Sequence, residues 1–309
     1  MKRFFYSGCS YTEYGYPTWA DIIAYDLITQ GKIDFAYNLG RGGACNEYIA
    51  NQLIMAKHQA KITSDDIVGV GWTTPWRHSV LNNYHAGRNQ DQHDQSTNWQ
   101  TFGNVAFNSF WNEIPDHLEK INTDAYLLQR TCHQFNVLND VFDFAYQSRM
   151  LTNECIEIQQ EEDFVDNLNL MSMDHTAYLK GSFKNYVDLP TLDDESKYRD
   201  KNGILSESET NFRNLYQGHP TMTSHLKMAQ KITDLHDDTV AEISRLEAIL
   251  FDMVDTNIAR LPNKSHDEIR HEVFEILDLE WEPRRLWPGW NRISTYCAFD
   301  THSRSFFNP

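Results

Sequence analysis

Arg3-Phe4-Phe5-Tyr6-Ser7 runs straight into Gly8-Cys9-Ser10-Tyr11-Thr12. A short apolar, aromatic run that stops in small residues reads as a buried strand followed by a tight turn. Pro17 and Thr18 then open an amphipathic helix, Trp19 to Leu27, which Gly31 closes. Phe35-Ala36-Tyr37-Asn38-Leu39 is a second strand. It ends in Gly40-Arg41-Gly42-Gly43, and a second helix follows from Asn46 to about His58. Ile67-Val68-Gly69-Val70-Gly71 is a third apolar run. Strand, helix, strand, helix, strand within about 70 residues is the pattern of a parallel sheet with crossover helices.

Outward from that core the signals weaken. His78 to about Asn104 is rich in Asn, Gln, Asp and His and reads as an excursion over one face. From Phe110 to about Phe142 the apolar residues are spaced as on a helix, and Phe142 to Met150 alternates as a fourth strand does. Residues 152–215 show no clear period, and Gln159-Gln160-Glu161-Glu162-Asp163 and Asp193-Asp194-Glu195 within them read as solvated loops. Thr223 to about Leu261 reads as two helices. Residues 280–309 carry Trp281, Trp287, Trp290 and Phe306-Phe307, an aromatic tail expected to pack on the body or on another subunit. The expected fold is α/β with three layers and a central parallel sheet of four or five strands. Its domain spans residues 1–235, and a helical and aromatic extension covers 236–309.

The composition excludes several classes. The chain has 309 residues, with 27 Lys and Arg against 44 Asp and Glu, a formal charge of −17. Such a charge argues against binding a phosphate backbone or an anionic membrane surface. The 13% aromatic share supplies enough large side chains for a real core, so global disorder is not expected. No apolar stretch has the length needed to span a bilayer, and Ser7-Gly8-Cys9-Ser10 interrupts the short start that resembles a signal peptide. The five Cys are scattered without a CxxC pair, so reduced thiols inside a cell are expected rather than a disulfide framework or a zinc ribbon. A cytoplasmic location is expected on these grounds. His78, His85 and His93 match no compact metal motif, and neither a metal nor another cofactor is expected.

Four segments carry groups suited to chemistry. Ser10 follows the first strand, where parallel sheets place their sites, although any one such serine is more often structural. Gly40 to Gly43 follows the second strand. Its glycines can let backbone N–H groups approach an oxyanion, or simply serve a turn with positive φ. A phosphate-cradling loop would need a following Gly-Lys-Ser/Thr, which is absent. Trp72-Thr73-Thr74-Pro75-Trp76-Arg77 follows the third strand. Its threonines can donate hydrogen bonds or cap a helix, and Arg77 can hold an anion or sit at the surface. Far downstream, Gly218-His219-Pro220-Thr221 precedes a helix that begins with residues including Ser224 and His225. A histidine fixed there by proline is placed to act as a base, although a lone His is more often a satisfied surface or core residue.

Taken in order, these segments resemble the SGNH (GDSL-type) hydrolase superfamily over roughly residues 3–235. Gly8-Cys9-Ser10-Tyr11-Thr12 resembles the GDSxT block, with Cys9 in place of Asp. Asn38-x-Gly40-x-x-Gly43 resembles the second block. Gly71-Trp72-Thr73 falls where the family has Gly-x-Asn. His219-Pro220-Thr221 with His225 resembles the end of its Asp-x-x-His block. The resemblance implies a flavodoxin-like α/β fold and a serine esterase acting on small O-acyl esters, for example acetyl groups on carbohydrate. It makes Ser10 the nucleophile and His219 the base, with Ser10, Gly43 and Thr73 as oxyanion donors. On such a site Tyr14, Trp72 and Trp76 could stack on a sugar ring or equally be ordinary core or rim aromatics, and Arg77 could bind substrate by holding an anion. Two departures stand out: Tyr216 occupies the position of the family's Asp, and Thr73 that of its Asn. They leave open a second expectation, a weakly active or inactive scaffold protein such as a phage particle component. Such a protein would pair with copies of itself or with virion partners through the tail.

Overall fold

A computed structural model describes residues 2–75, 77–81, 99–103, 124–150, 186–189 and 219–260, with parts of 263–277. The chain divides into two compact units, one holding the sheet and the helices packed on it, the other built among the described residues from helices.

The sheet of the first unit has five strands. They are β1 (Arg3–Ser7), β2 (Phe35–Asn38), β3 (Ile67–Trp72), β6 (Tyr146–Met150) and β7 (Tyr186–Leu189). Between β3 and β6 in the chain lie β4 (Arg77–Leu81) and β5 (Trp99–Gly103), which form a separate antiparallel pair. The main sheet runs β2-β1-β3-β6-β7, and its β1·β3, β3·β6 and β6·β7 pairings are parallel. The protein is therefore an α/β fold built on a parallel sheet. Numbered within the sheet alone, the order is 2-1-3-4-5, an arrangement whose direction reverses between the first and third strands.

Register follows side-chain size. Phe4 pairs with Ile67 and Ser7 with Val70. The ring of Phe4 lies over Gly69, where an added Cβ would come within 3.0 Å of Phe4 Cε2. That ring also meets Tyr6 at 4.7 Å and the edge of Tyr146 at 5.6 Å between centroids. Gly69 is thus the gap that lets aromatics from β1 and β6 meet across β3. At the amino ends of the strands Arg3 grips Asp66 with two parallel bonds, Nε to Oδ1 at 2.9 Å and Nη2 to Oδ2 at 2.7 Å. The pairing with Asp66 holds the Arg3 pKa above its ordinary value despite partial burial.

Helix α2 (Asn46–Gln59) packs on β1 and β3, and α3 (Asp124–Val141) packs on α2. The buried residues of α2, including Tyr48, Ile49, Leu53 and Ala56, recur at helical spacing. Trp72 is wholly buried, against Phe135 of α3 at 5.5 Å, and donates Nε1–H to Gln147 Oε1 at 3.2 Å.

In the second unit α1 (Trp19–Thr29), α4 (Met222–Ile232) and α5 (Asp237–Arg260) pack on one another. Thr18 and Asp21 close a capping box at the start of α1. Gly31, at φ +65°, turns the chain after α1 as its position suggests. Buried Asp26 of α1 accepts from His236 N and Thr239 Oγ1, which caps the start of α5. Glu247 of α5 accepts from Thr223 N and Oγ1 in the first turn of α4.

Three expectations need adjustment. The excursion after β3 is not all loop: its ends pair as β4 and β5, with Leu81 opposite Trp99. The fourth strand begins at Tyr146, not Phe142, because Phe142 and Phe144 are buried in the link from α3. β7 lies where no period is legible. The aromatic tail after residue 280 lies outside the described residues. Among the described residues no helix is long and apolar enough to cross a membrane.

Candidate active site

The loops that leave the carboxyl ends of β1, β2 and β3 are bonded to one another. Open α/β sheets put their ligands at this edge, where strand order reverses. After β1, Cys9 O accepts from Thr12 N at 2.8 Å and Glu13 N at 3.0 Å, so the chain makes a single helical turn around Ser10. Gly8 is obligatory there. A Cβ would lie 2.0 Å from Thr12 Oγ1 and 3.1 Å from the Gly71 carbonyl. Ser10 is only 8% exposed.

The loop after β2 is tied to that turn. Arg41 N donates to Gly8 O at 3.0 Å, and Asn38 Nδ2 to Thr12 O at 2.9 Å. Asn38 Oδ1 also accepts from Gly40 N at 2.8 Å, a local turn that the Asn side chain makes by itself. Gly43 is buried at φ +74°, a conformation that costs any residue with a side chain.

The loop after β3 is held by Asn46, the first residue of α2. Asn46 Oδ1 accepts from Thr73 N at 2.8 Å, while its Nδ2 donates to Thr73 O at 2.9 Å and Thr131 Oγ1 at 3.2 Å. Both backbone groups of Thr73 are therefore engaged, and any contribution of that residue to an oxyanion must come from its hydroxyl. In the sequence Asn46 shows only as the start of a helix. An Asn three residues past the last glycine of that loop is the available signal, and the capping preference of Asn conceals it.

The substrate contacts expected from sequence fare differently. Trp72 is core, with its N–H used by Gln147, and presents no face to solvent. Arg77, the first residue of β4, is buried rather than at a rim. Its Nη1 donates to Ala44 O at 3.4 Å. Trp76 and Tyr216 lie outside the described residues.

Tyr14 and His219 belong to the second unit. Their rings stack at 4.2 Å with 26° between planes. The adjacent Tyr16 meets Tyr14 edge-on at 4.8 Å and donates its hydroxyl to Pro220 O at 2.7 Å. Thr221 caps α4, accepting from Ser224 N at 3.2 Å. Together these contacts fix the backbone and the ring of His219 from two sides. One turn into α4, His225 is wholly buried. Burial, with a smaller effect from His219, pushes its pKa down to about 3. It is therefore neutral at physiological pH.

A cavity of about 550 Å³ lies at the opposite edge of the sheet, lined by residues including Lys2, Asp65, Asp66 and Asp143 that precede β1, β3 and β6. It lies at the other end of the strands from Ser10, Gly43 and Thr73. Among the described residues no three His, Cys, Asp or Glu are grouped to hold a metal ion. No family model matches the chain, and no curated protein matches it in sequence.

Proposed function

We propose that the protein is a serine esterase of SGNH type, cleaving small O-acyl esters such as O-acetyl groups on carbohydrate. The observation that supports this reading most is the mutual bonding of the loops that carry Ser10, Gly43 and Thr73 at the carboxyl edge of a parallel sheet. The resemblance, not a measured distance, assigns His219 as the base for Ser10 in this reading.

His219 takes the proton from Ser10 as Oγ bonds to the ester carbonyl carbon. The negative charge on the carbonyl oxygen is met by the amides of Ser10 and Gly43 and by the Thr73 hydroxyl. Collapse breaks the carbon–oxygen bond to the alcohol, which leaves with the proton held by His219. Water, deprotonated by the same imidazole, then attacks the acyl-enzyme, and the carboxylic acid departs as Ser10 recovers its proton. No Asp stands three residues before His219 to orient the ring. Stacking on Tyr14 limits the ring's rotation instead, at the cost of the charge stabilisation an acid provides.

A second reading keeps the scaffold without the chemistry, as in a structural component of a phage particle. The clasp of Asn46 on both backbone groups of Thr73 favours it, because that loop is occupied by an internal contact. Hydrolysis of p-nitrophenyl acetate by the full chain decides between them. A serine esterase loses at least about 1,000-fold in kcat on Ser10→Ala and is labelled at Ser10 by a fluorophosphonate. Equal background rates for both proteins, with no labelling, would overturn the enzyme reading.

A further inference from the structure

Within the first unit, a small cavity of about 10 Å³ lies beside the N-terminus of α2. Its lining includes Asn46, Glu47, Arg77, Arg130, Thr131 and Gln134. That is about the room one water takes, so a halide would need the lining to yield by about half an ångström.

The donors around it outnumber the acceptors. Arg77 is 8% exposed, and its Nε has no hydrogen-bond partner among the described residues. The one carboxylate in the lining, Glu47, is already paired with Arg130. Those two charges cancel, which leaves Arg77 as a buried cation without a counter-ion among the described residues. Thr131 is 3% exposed, and its oxygen accepts from Asn46 Nδ2, so its own proton is left to donate. Asn46 spends both Nδ2 protons on Thr73 and Thr131, and its Oδ1 already accepts from Thr73 N. The N-terminus of the 14-residue α2 adds the positive end of its dipole. A guanidinium taken out of water with neither a counter-charge nor a full set of acceptors is costly, and a bound anion removes that cost.

We propose that this cavity is an anion site, in which Arg77 Nε and the Thr131 hydroxyl hold a halide ion or a single carboxylate oxygen of a ligand. The chain carries a net −17, so a pocket with a surplus positive charge runs against its average field. An anion held there would also tie β4 to α2 and α3, the elements that clamp the loop after β3. The proposal stands apart from the esterase reading and survives its failure.

The test is the unfolding midpoint of the full chain, titrated with sodium chloride, bromide or acetate at ionic strength held constant with sodium isethionate, whose sulfonate is too bulky for the cavity. At ten times its Kd, a bound anion raises the midpoint by about 2–4 °C. The rise should saturate, and it should disappear in Thr131→Val, which keeps the side-chain shape, and in Arg77→Met if that variant folds. Saturation by chloride and bromide identifies a resident halide. Saturation by acetate alone identifies a carboxylate as the ligand. Crystals soaked in bromide should then show an anomalous peak between Arg77 and Thr131 in the first case. A midpoint indifferent to all three anions, or a rise that persists unchanged in Thr131→Val, would overturn the site.

Discussion

His225 shows how a single buried side chain sets the response of this protein to acid. Its imidazole is wholly buried, and its pKa is lowered to about 3. The unfolded chain therefore binds a proton near pH 6.5 that the folded chain refuses until about pH 3. Stability from this residue is fully present above pH 6.5 and is lost progressively as pH falls through that window, at about 1.4 kcal/mol per pH unit. His225→Gln should flatten the dependence by about that slope, as read from urea unfolding at pH 4, 5, 6 and 7. An unchanged slope would show that His225 is hydrated or paired with a charge. Gly43 makes a second case at this scale. Its φ of +74° lies in the left-handed region, and Gly43→Ala should cost about 1 kcal/mol. Substitution at Gly8 is worse for a different reason, since the new methyl would collide with the turn that carries Ser10.

At the scale of elements, α2 does more than cover the sheet. Its first residue, Asn46, makes three buried hydrogen bonds, two of them to the backbone of Thr73. Asn46→Ala strands both of those groups and should destabilise the protein by about 2–4 kcal/mol in denaturant unfolding. If the esterase reading holds, activity on p-nitrophenyl acetate falls as well, because the loop after β3 loses its anchor. The helices of the second unit are joined in a similar way. Asp26 of α1 accepts from the first turn of α5 and from Gln30, and Asp26→Ala should cost about 1–3 kcal/mol. Strands β1 to β3 and helices α1 and α2 were legible in sequence because each is short, periodic and bounded by Gly, Pro or a capping residue. β4, β5 and β7 were not. Each is four or five residues long and mixes apolar with polar residues, as in Tyr186-Val187-Asp188-Leu189, without a sustained alternation bounded by turn residues to announce it.

For the molecule as a whole, a charge of −17 means that the folded state works against its own repulsion. Raising ionic strength with sodium isethionate from about 0.01 to 0.15 M shortens the screening length from about 30 to about 8 Å. The unfolding midpoint should rise accordingly, without the saturation expected of a specific anion. A midpoint that falls would mean that attractive ion pairs such as Arg3–Asp66 outweigh the net repulsion.

The sequence by itself determined the α/β class, the parallel core and the positions of the loops that carry Ser10, Gly43 and Thr73, because these depend on local periodicity and on punctuation by small residues. Only the tertiary structure decided that Trp72 is core, that Arg77 is buried, that Asn46 clasps Thr73 and that His219 rests on Tyr14. Each of those is a meeting of residues far apart in the chain. Burial and partnership are properties of such meetings, and a residue's chemical type does not specify where it will be satisfied.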